Sequence, residues 1–345
     1  MKINKHIEIV SSTRPILSSM GQVSRDGAKK VLEKHFTRVD ITMVDSLSDL
    51  EALGARKPDL VFLGMKFVPA NSAVNWQDSE KVWLSDYLEQ HGIAYTGSTQ
   101  AASALERDKY LAKQQVMDAG FRTSPFFVAR QNATLKEADV AVEYPLFVKP
   151  TNRGGGLGID SNSIVHTFEQ LQSKVDSITS RYQVDSLIEQ YLPGREFSVA
   201  ILRNEGTDTF ATMPLELIAP ADKDGVRILS GKIKEQNVEE FVRVTDAAIF
   251  SDITSLALGA FHALGARDYG RIDIRLDSNG DAHFLEANLL PSLMDGYGNF
   301  PKACWLNNQM DYESMLLAIV RMAMPRPALT REFEQTPLVA NYQGA

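Results

Sequence analysis

The stretch RIDIRLDSNGDAHFLEANLLP, residues 271–291, constrains the fold more than any other part of the chain. Two runs that alternate apolar and polar residues flank Asn279-Gly280, the strongest short-range signal for a β-hairpin. With a two-residue loop at Asn279 and Gly280, Asp273 stands opposite Glu286 and Arg271 opposite Asn288. One face then carries Ile272, Ile274, Leu276, Leu285 and Ala287. The other carries Arg271, Asp273, Arg275, Glu286 and Asn288. Like charges directly opposite on a sheet are destabilising, so the paired carboxylates need a reason. A hard divalent cation is one: magnesium takes oxygen ligands, typically one or two carboxylates together with substrate phosphates. A charge ladder, in which Arg271 and Arg275 neutralise the acids, is the other.

The first hundred residues alternate strand and helix. HIEIV (6–10), VDITMVD (39–45) and DLVFLGM (59–65) read as strands and residues 23–36 as a helix. Residues 79–92 read as a helix capped by Ser79, followed by a short strand, IAYTGS. Such alternation implies a parallel α/β sheet. No G-x-G-x-x-G follows the first strand, which argues against a dehydrogenase built on this part. Further helices are expected at 108–120, 167–181, 245–264 and 311–323, and strands in SPFFVAR, YPLFVKP and SNSIVH. From 187 onward the strands lengthen and turn antiparallel. From Pro325 the chain has three prolines and little periodicity, the pattern of a loosely held tail.

Composition narrows the class. A length of 345 residues exceeds a typical single core and suggests two or three domains. The net charge of −8 argues against a nucleic-acid partner, which would call for a basic patch. The single cysteine, Cys304, excludes an intrachain disulfide and reads as a buried apolar residue. No run of 18 apolar residues exists and the N-terminus lacks a signal-peptide pattern, so a cytoplasmic protein without a membrane partner is expected.

Two more stretches bear on chemistry. TNRGGGLG (151–158) follows the strand YPLFVKP, with Lys149 at the strand exit. Glycines let backbone amides approach phosphate oxygens, but no Gly-Lys-Ser/Thr follows, so this is not a Walker loop. In LIEQYLPGREFSVAIL (187–202), Glu189 and Glu196 bracket a Pro-Gly turn. Taken alone, these stretches also suit a flexible surface hairpin and an ordinary turn with solvated acids.

In this order, Lys-Pro with a glycine loop, Glu-x-x-Leu with a second Glu, and Arg-Ile-Asp with Glu-x-Asn-x-x-Pro resemble the ATP-grasp fold, and within it the D-alanine–D-alanine ligases. SALERDKYLAKQQVMDAG (103–120) and YTGST (95–99) are similar to the same enzymes, so the resemblance runs from about 93 to 303. It implies an α/β protein, α+β in its C-terminal part. A Rossmann-like parallel domain (1–100) would precede a central domain forming the ATP lid (101–186), a C-terminal ATP-grasp domain (187–325) and a tail (326–345). It implies ATP as nucleotide and Mg2+ (or Mn2+) as metal, small amino-acid-like substrates, and a homodimer. Residue by residue, Lys109 and Lys149 would hold ATP phosphates under a lid of Gly154, Gly155, Gly156 and the residues to Gly158. Glu189 would accept the adenine amino group, with backbone groups of Gln190 and Leu192, and Glu196 would hold the ribose. Asp273, Glu286 and Asn288 would bind the metal. Arg271 would stabilise the developing oxyanion, and Lys232, or else Lys234, would be the lysine of a mobile loop.

The implied activity is ATP-dependent joining of a carboxylate to an amine through an acyl phosphate, with release of ADP. Magnesium, lysines and an arginine suit the charge that gathers on oxygens in both steps. A D-alanine–D-alanine ligase of cell-wall synthesis is one alternative, and a non-catalytic ATP-binding protein another. The N-terminal part departs from the family. SSMGQVSRDG (18–27) places Met20 where the family has the glutamate that pairs with the first substrate's ammonium. GMKFVPANSAVNWQDSEK (64–81) replaces a His-Gly with Glu-Asp, and SLMDGYGNFPK (292–302) is one residue longer than the family's serine segment. The charge could come instead from Asp26, Asp78 or Glu80. Asp295, Tyr297 and Asn299 offer polar groups to the acceptor, so a changed substrate pair is expected.

Overall fold

The computed structural model describes residues 1–71, 79–131, 133–221, 225, 227–229, 233, 236 and 238–324. Lys232, Lys234, Asp78 and the tail from 325 lie outside the described residues. The N-terminal part is a parallel sheet of order β2-β1-β3, made of β1 (Ile3–Ser11), β2 (Phe36–Met43) and β3 (Leu60–Leu63). Tyr95 bridges Val61 in parallel beside β3, which is all that forms of the strand expected at IAYTGS. Helices α1 (Gln22–Leu32) and α2 (Leu47–Arg56) flank the sheet, and a capping box between Ser46 and Asp49 starts α2. The single helix expected over 79–92 is instead β5 (Lys81–Trp83), paired antiparallel with β4 (Phe67–Pro69), and α3 (Leu84–Gln90). Ser79 does not cap it: its hydroxyl accepts the Asn71 N–H, which closes the β4–β5 loop.

In the middle of the chain, α4 (Gln100–Arg107) and α5 (Lys109–Asp118) break at Asp108. Its carboxylate accepts from Tyr110 and Leu111 N–H and so caps α5. Strands β6 (Phe126–Ala129), β7 (Leu146–Pro150), β8 (Ile164–Val165) and β9 (Ser186–Gln190) form an antiparallel sheet of order β6-β9-β7-β8. The stretch 187–190, read from sequence with the C-terminal part, thus pairs with β6 and β7. One face of this sheet is apolar: Leu146, Val148 and Ile188 pack on Leu171, Val175 and Ile178 of α6 (Phe168–Tyr182). Side chains alternate across a strand, so Phe147, Lys149 and Glu189 project from the opposite face.

The C-terminal sheet has the order β12-β11-β10-β13-β14. It comprises β10 (Glu196–Arg203), β11 (Phe210–Ile218), β12 (Glu240–Arg243), β13 (Tyr269–Leu276) and β14 (Ala282–Asn288). Phe197, Val199, Ile272 and Ile274 pack on Ile253, Ala257 and Ala260 of α7 (Ala247–Ala263). Helices α8 (Asn299–Asn308) and α9 (Tyr312–Ala323) follow. The buried side chains of α9 join one core with Ile7, Leu32 and Phe36 of the N-terminal part.

The hairpin is built differently from the two-residue turn. Asp277 N–H bonds Asp281 O, Leu276 pairs with Ala282, and Gly280 takes φ +90°, so the loop is the three residues 278–280. This shifts the register by one, and a bulge at Leu285 shifts it back, so Asp273 still faces Glu286 and Arg271 still faces Asn288. The bulge exchanges two side chains. Phe284 is fully buried in the core, whereas Leu285, expected on the core face, lies with Glu286 in the cleft described below.

A candidate nucleotide-binding and catalytic cleft

The polar faces of the central and C-terminal sheets meet across a cleft of about 660 Å3 that opens to solvent. Strand β7 contributes Phe147 and Lys149, β9 contributes Glu189, β10 contributes Glu196, β13 contributes Asp273 and Arg275, and β14 contributes Leu285 and Glu286. Apolar side chains of Phe147, Leu192, Ile228 and Leu285 line a slot, and charged groups gather at the base.

Sheet register fixes the charged groups. Phe147 is the cross-strand partner of Glu189, so Lys149, two residues on, lies diagonal to Glu189 on the same face. The Lys149 ammonium stands 2.6 Å from Glu189, and that of Lys113 stands 2.9 Å from the other carboxylate oxygen. Ser124 also donates to Glu189. Glu189 is 2% exposed and Lys113 0%. Burial alone would raise Glu189, but the two ammonium groups outweigh it and pull its pKa down to about 2. Burial pushes Lys113 down to about 8, against the attraction of Glu189. Lys149 is held above its ordinary value because Glu189 and Glu286 together outweigh its burial.

Lys109 begins α5 and turns the same way as Lys113, one helical turn later. It is buried, donates to the carbonyl of Arg153 at 2.6 Å, and lies 3.6 Å from Glu286. Burial lowers its pKa, and the nearby Lys149 adds to the shift. Two buried ammonium groups on one side of the cleft favour an anion beside them. The glycine loop stands above: Gly155, Gly156 and Gly158 take φ of +66°, +76° and +79°, and a Cβ on Gly154 or Gly155 would meet nothing within 4 Å. The N–H of Gln190 is donated to Pro125 O, so a ligand contact from this residue comes from its carbonyl or side chain.

On the C-terminal sheet, β10 and β13 pair Glu196 with Arg275 and Ser198 with Asp273. The side chains follow: Arg275 holds Glu196 at 3.1 Å and Ser198 donates to Asp273 at 2.8 Å. Arg271 grips Asp273 with two bonds of 2.9 Å, and Asn288 donates to it at 3.2 Å. The charge-ladder arrangement is therefore present for Asp273. Glu286, opposite it, has Lys109 as its neighbour. No group of three or more His, Cys, Asp or Glu side chains suited to a metal occurs among the described residues. A carboxylate pair fits magnesium all the same, because that ion commonly completes its shell with phosphate oxygens and water. Sequence reasoning missed Lys113, Ser124, Ser198 and the pairing of Arg275 with Glu196. Only Lys113 left a signal, its spacing of four from Lys109.

The N-terminal departures also have places. Met20 is buried in the core beside Gly64, and Asp26 and Glu80 are exposed. Asp295 and Tyr297 lie exposed on the loop after β14, and Asn299 is half-buried.

A family model described as the D-ala D-ala ligase C-terminus matches residues 116–321. A D-alanine–D-alanine ligase of Pelobacter propionicus is 28% identical over 309 residues, covering 89% of this chain and 93% of the relative. One from Janthinobacterium sp. is 30% identical over 280 residues, covering 79% and 82%. An uncharacterized protein of Sinorhizobium fredii is 31% identical over 210 residues, 60% of each chain. The crystal structure of the Bacillus anthracis D-alanine–D-alanine ligase complexed with ATP superposes with a TM-score of 0.70 at 20% identity, covering 93% of this chain and 97% of that one. With most of the chain matched in both sequence and fold, the protein belongs to the D-alanine–D-alanine ligase family of ATP-grasp enzymes.

Proposed function

We propose that this protein is an ADP-forming, ATP-dependent ligase that joins a small carboxylic acid to an amine. The observation that supports it most directly is the facing of the two sheets, which sets Lys109, Lys149 and the glycine loop against the Asp273–Glu286 pair across one cleft. The slot beside Phe147, Leu192 and Leu285 suits a flat base, Glu196 held by Arg275 suits the ribose, and the lysines suit the phosphates. Glu189 acts here chiefly by fixing Lys113 and Lys149.

In the reaction, a carboxylate oxygen of the acid attacks the γ-phosphorus of ATP, and ADP leaves. The amine then attacks the acyl carbon, the C–N bond forms, the C–O bond to phosphate breaks, and the amine proton passes to solvent. Lys109 and Lys149 hold phosphate oxygens in line, and the guanidinium of Arg271 neutralises charge that builds on the acyl oxygen. Asp273, Glu286 and Asn288 would hold Mg2+, or Mn2+, which supplies further neutralisation of the phosphates. Lys232 or Lys234 is the proposed loop lysine. The active form is proposed to be a homodimer.

The test is ADP release. Purified protein with ATP and Mg2+ should release ADP only when both an acid and an amine are supplied. Release of ADP at the same rate without either would remove the ligase reading.

A further inference from the structure

Glu196 begins β10 just past the Pro-Gly turn, and its side chain lines the cleft together with Arg275. The register of β10 on β13 sets the two residues opposite each other, and Arg275 Nη1 donates to the Glu196 carboxylate at 3.1 Å. The other nitrogens of the guanidinium are engaged as well. Nε donates to Gly194 O at 3.2 Å, and Nη2 to Arg227 O at 3.1 Å and to the Tyr191 hydroxyl at 3.4 Å. The guanidinium also lies 5.3 Å from the centroid of the Tyr191 ring, within cation–π range. The turn is itself fixed on β13: Gly194 N–H donates to Leu276 O, and Leu276 N–H to Arg195 O. A Cβ on Gly194 would meet Leu276 O at 2.6 Å, so a larger residue would push the turn off the strand. One buried arginine thus ties the turn, the Tyr191 ring and the carboxylate of Glu196 into one unit.

An arginine in a nucleotide cleft invites a phosphate-binding role. The geometry argues against that role for Arg275, because all three of its nitrogens already donate to protein groups. Its effect on a nucleotide therefore passes through Glu196 and the turn. A carboxylate held by a charge-assisted bond is pre-oriented, and a pre-oriented acceptor gives up less freedom when it takes a hydroxyl. We propose, resting on the nucleotide site of the ligase reading above, that Arg275 is a positioning residue for the sugar. By holding Glu196 in the cleft beside Leu192, it sets a preference for ATP over nucleotides that lack a ribose hydroxyl. Without Arg275 the carboxylate loses the cross-strand bond that orients it, and the hydroxyls lose their advantage. The phosphate groups, which meet Lys109 and Lys149, are not part of this discrimination.

Calorimetry on the full-length protein with Mg2+ tests this without any acid or amine, using ATP, 2′-deoxy-ATP and 3′-deoxy-ATP. The parent should bind ATP about tenfold or more tighter than at least one deoxy analogue, the loss expected for a hydrogen bond to a carboxylate. Arg275→Met should bring that ratio to within about twofold of unity, because the oriented acceptor is gone. Arg275→Gln, which keeps a polar group near Gly194 O, should do the same and serves if Arg275→Met does not fold. Glu196→Gln should also reduce the ratio. Adding Arg275→Met to it should then change the ratio by less than about twofold, because residues that act as a unit are not additive. An arginine that only packs the sheet would weaken all three nucleotides together and keep the ratio. That result, a parent that binds the three alike, or independent losses in the double variant would overturn the role of Arg275 and leave the ligase reading standing. A parent that binds no ATP would overturn the ligase reading and this inference with it.

Discussion

Glu189→Gln is the sharpest perturbation of the cleft. The substitution is nearly isosteric, so packing is kept, but it strands two ammonium groups at 2.6 and 2.9 Å from the lost charge. The folded protein holds the Glu189 pKa at about 2, against 4.5 for an ordinary glutamate. That shift corresponds to about 3 kcal/mol in favour of the ionised form. Breaking a buried ion pair by removing one partner costs roughly 3–5 kcal/mol, so the two routes agree on a loss of about 3–5 kcal/mol. For domains of this size that is a fall in Tm of about 10 °C. Thermal unfolding followed by circular dichroism measures it. Adding Lys113→Met removes one of the two stranded charges, so the double variant should be more stable than Glu189→Gln alone. Lys113 already titrates near pH 8, and losing Glu189 lowers it further, so the single variant's deficit should shrink as the pH is raised toward 8. A Glu189→Gln protein as stable as the parent, or a double variant less stable than the single, would refute the reasoning.

Other outcomes follow from the same geometry. Glu286→Gln relieves the repulsion with Asp273 and costs Lys109 a neighbour at 3.6 Å; Tm should stay within a few degrees while turnover falls about 100-fold, as for loss of a transition-state contact. The stabilisation that Glu189 contributes is fully present above about pH 4.5 and is lost as the pH falls through about 2, so acid titration of the parent should lose more stability across that window than titration of Glu189→Gln. Lys149→Ala should weaken ATP binding in calorimetry, and unchanged affinity would remove it from the site. Gly158→Ala meets Pro150 at 2.6 Å with φ at +79°, so it should destabilise by about 1–3 kcal/mol, read as a lower Tm.

The hairpin shows how far sequence reached and where it stopped. The facing of Asp273 and Glu286 was legible because alternation and Asn279-Gly280 point to one hairpin. The three-residue loop and the bulge at Leu285 were not, since their register shifts cancel at the carboxylates. That cancellation hides from the sequence the exchange that puts Phe284 in the core and Leu285 in the cleft. Residues 79–92 misled for a local reason: Lys81-Val82-Trp83 fits a helical pattern as well as a strand, and pairing with Phe67–Pro69 decides it. Ser198 and Arg275 were out of reach because their roles depend on β10 lying beside β13, a non-local pairing that neither strand announces. The glycine loop, the two carboxylate strands and Lys109 needed only local patterns, and those patterns carried the family resemblance.

In the proposed reaction ATP activates a carboxylate as an acyl phosphate before the amine attacks. An acid labelled with 18O in its reacting carboxylate, incubated with ATP, Mg2+, an amine and the protein, tests it directly. One labelled oxygen per turnover should appear in inorganic phosphate, with ADP as the other product, because the C–O bond that breaks in the second step leaves its oxygen on phosphorus. Unlabelled phosphate accompanying product formation, or release of AMP and pyrophosphate in place of ADP, would contradict it.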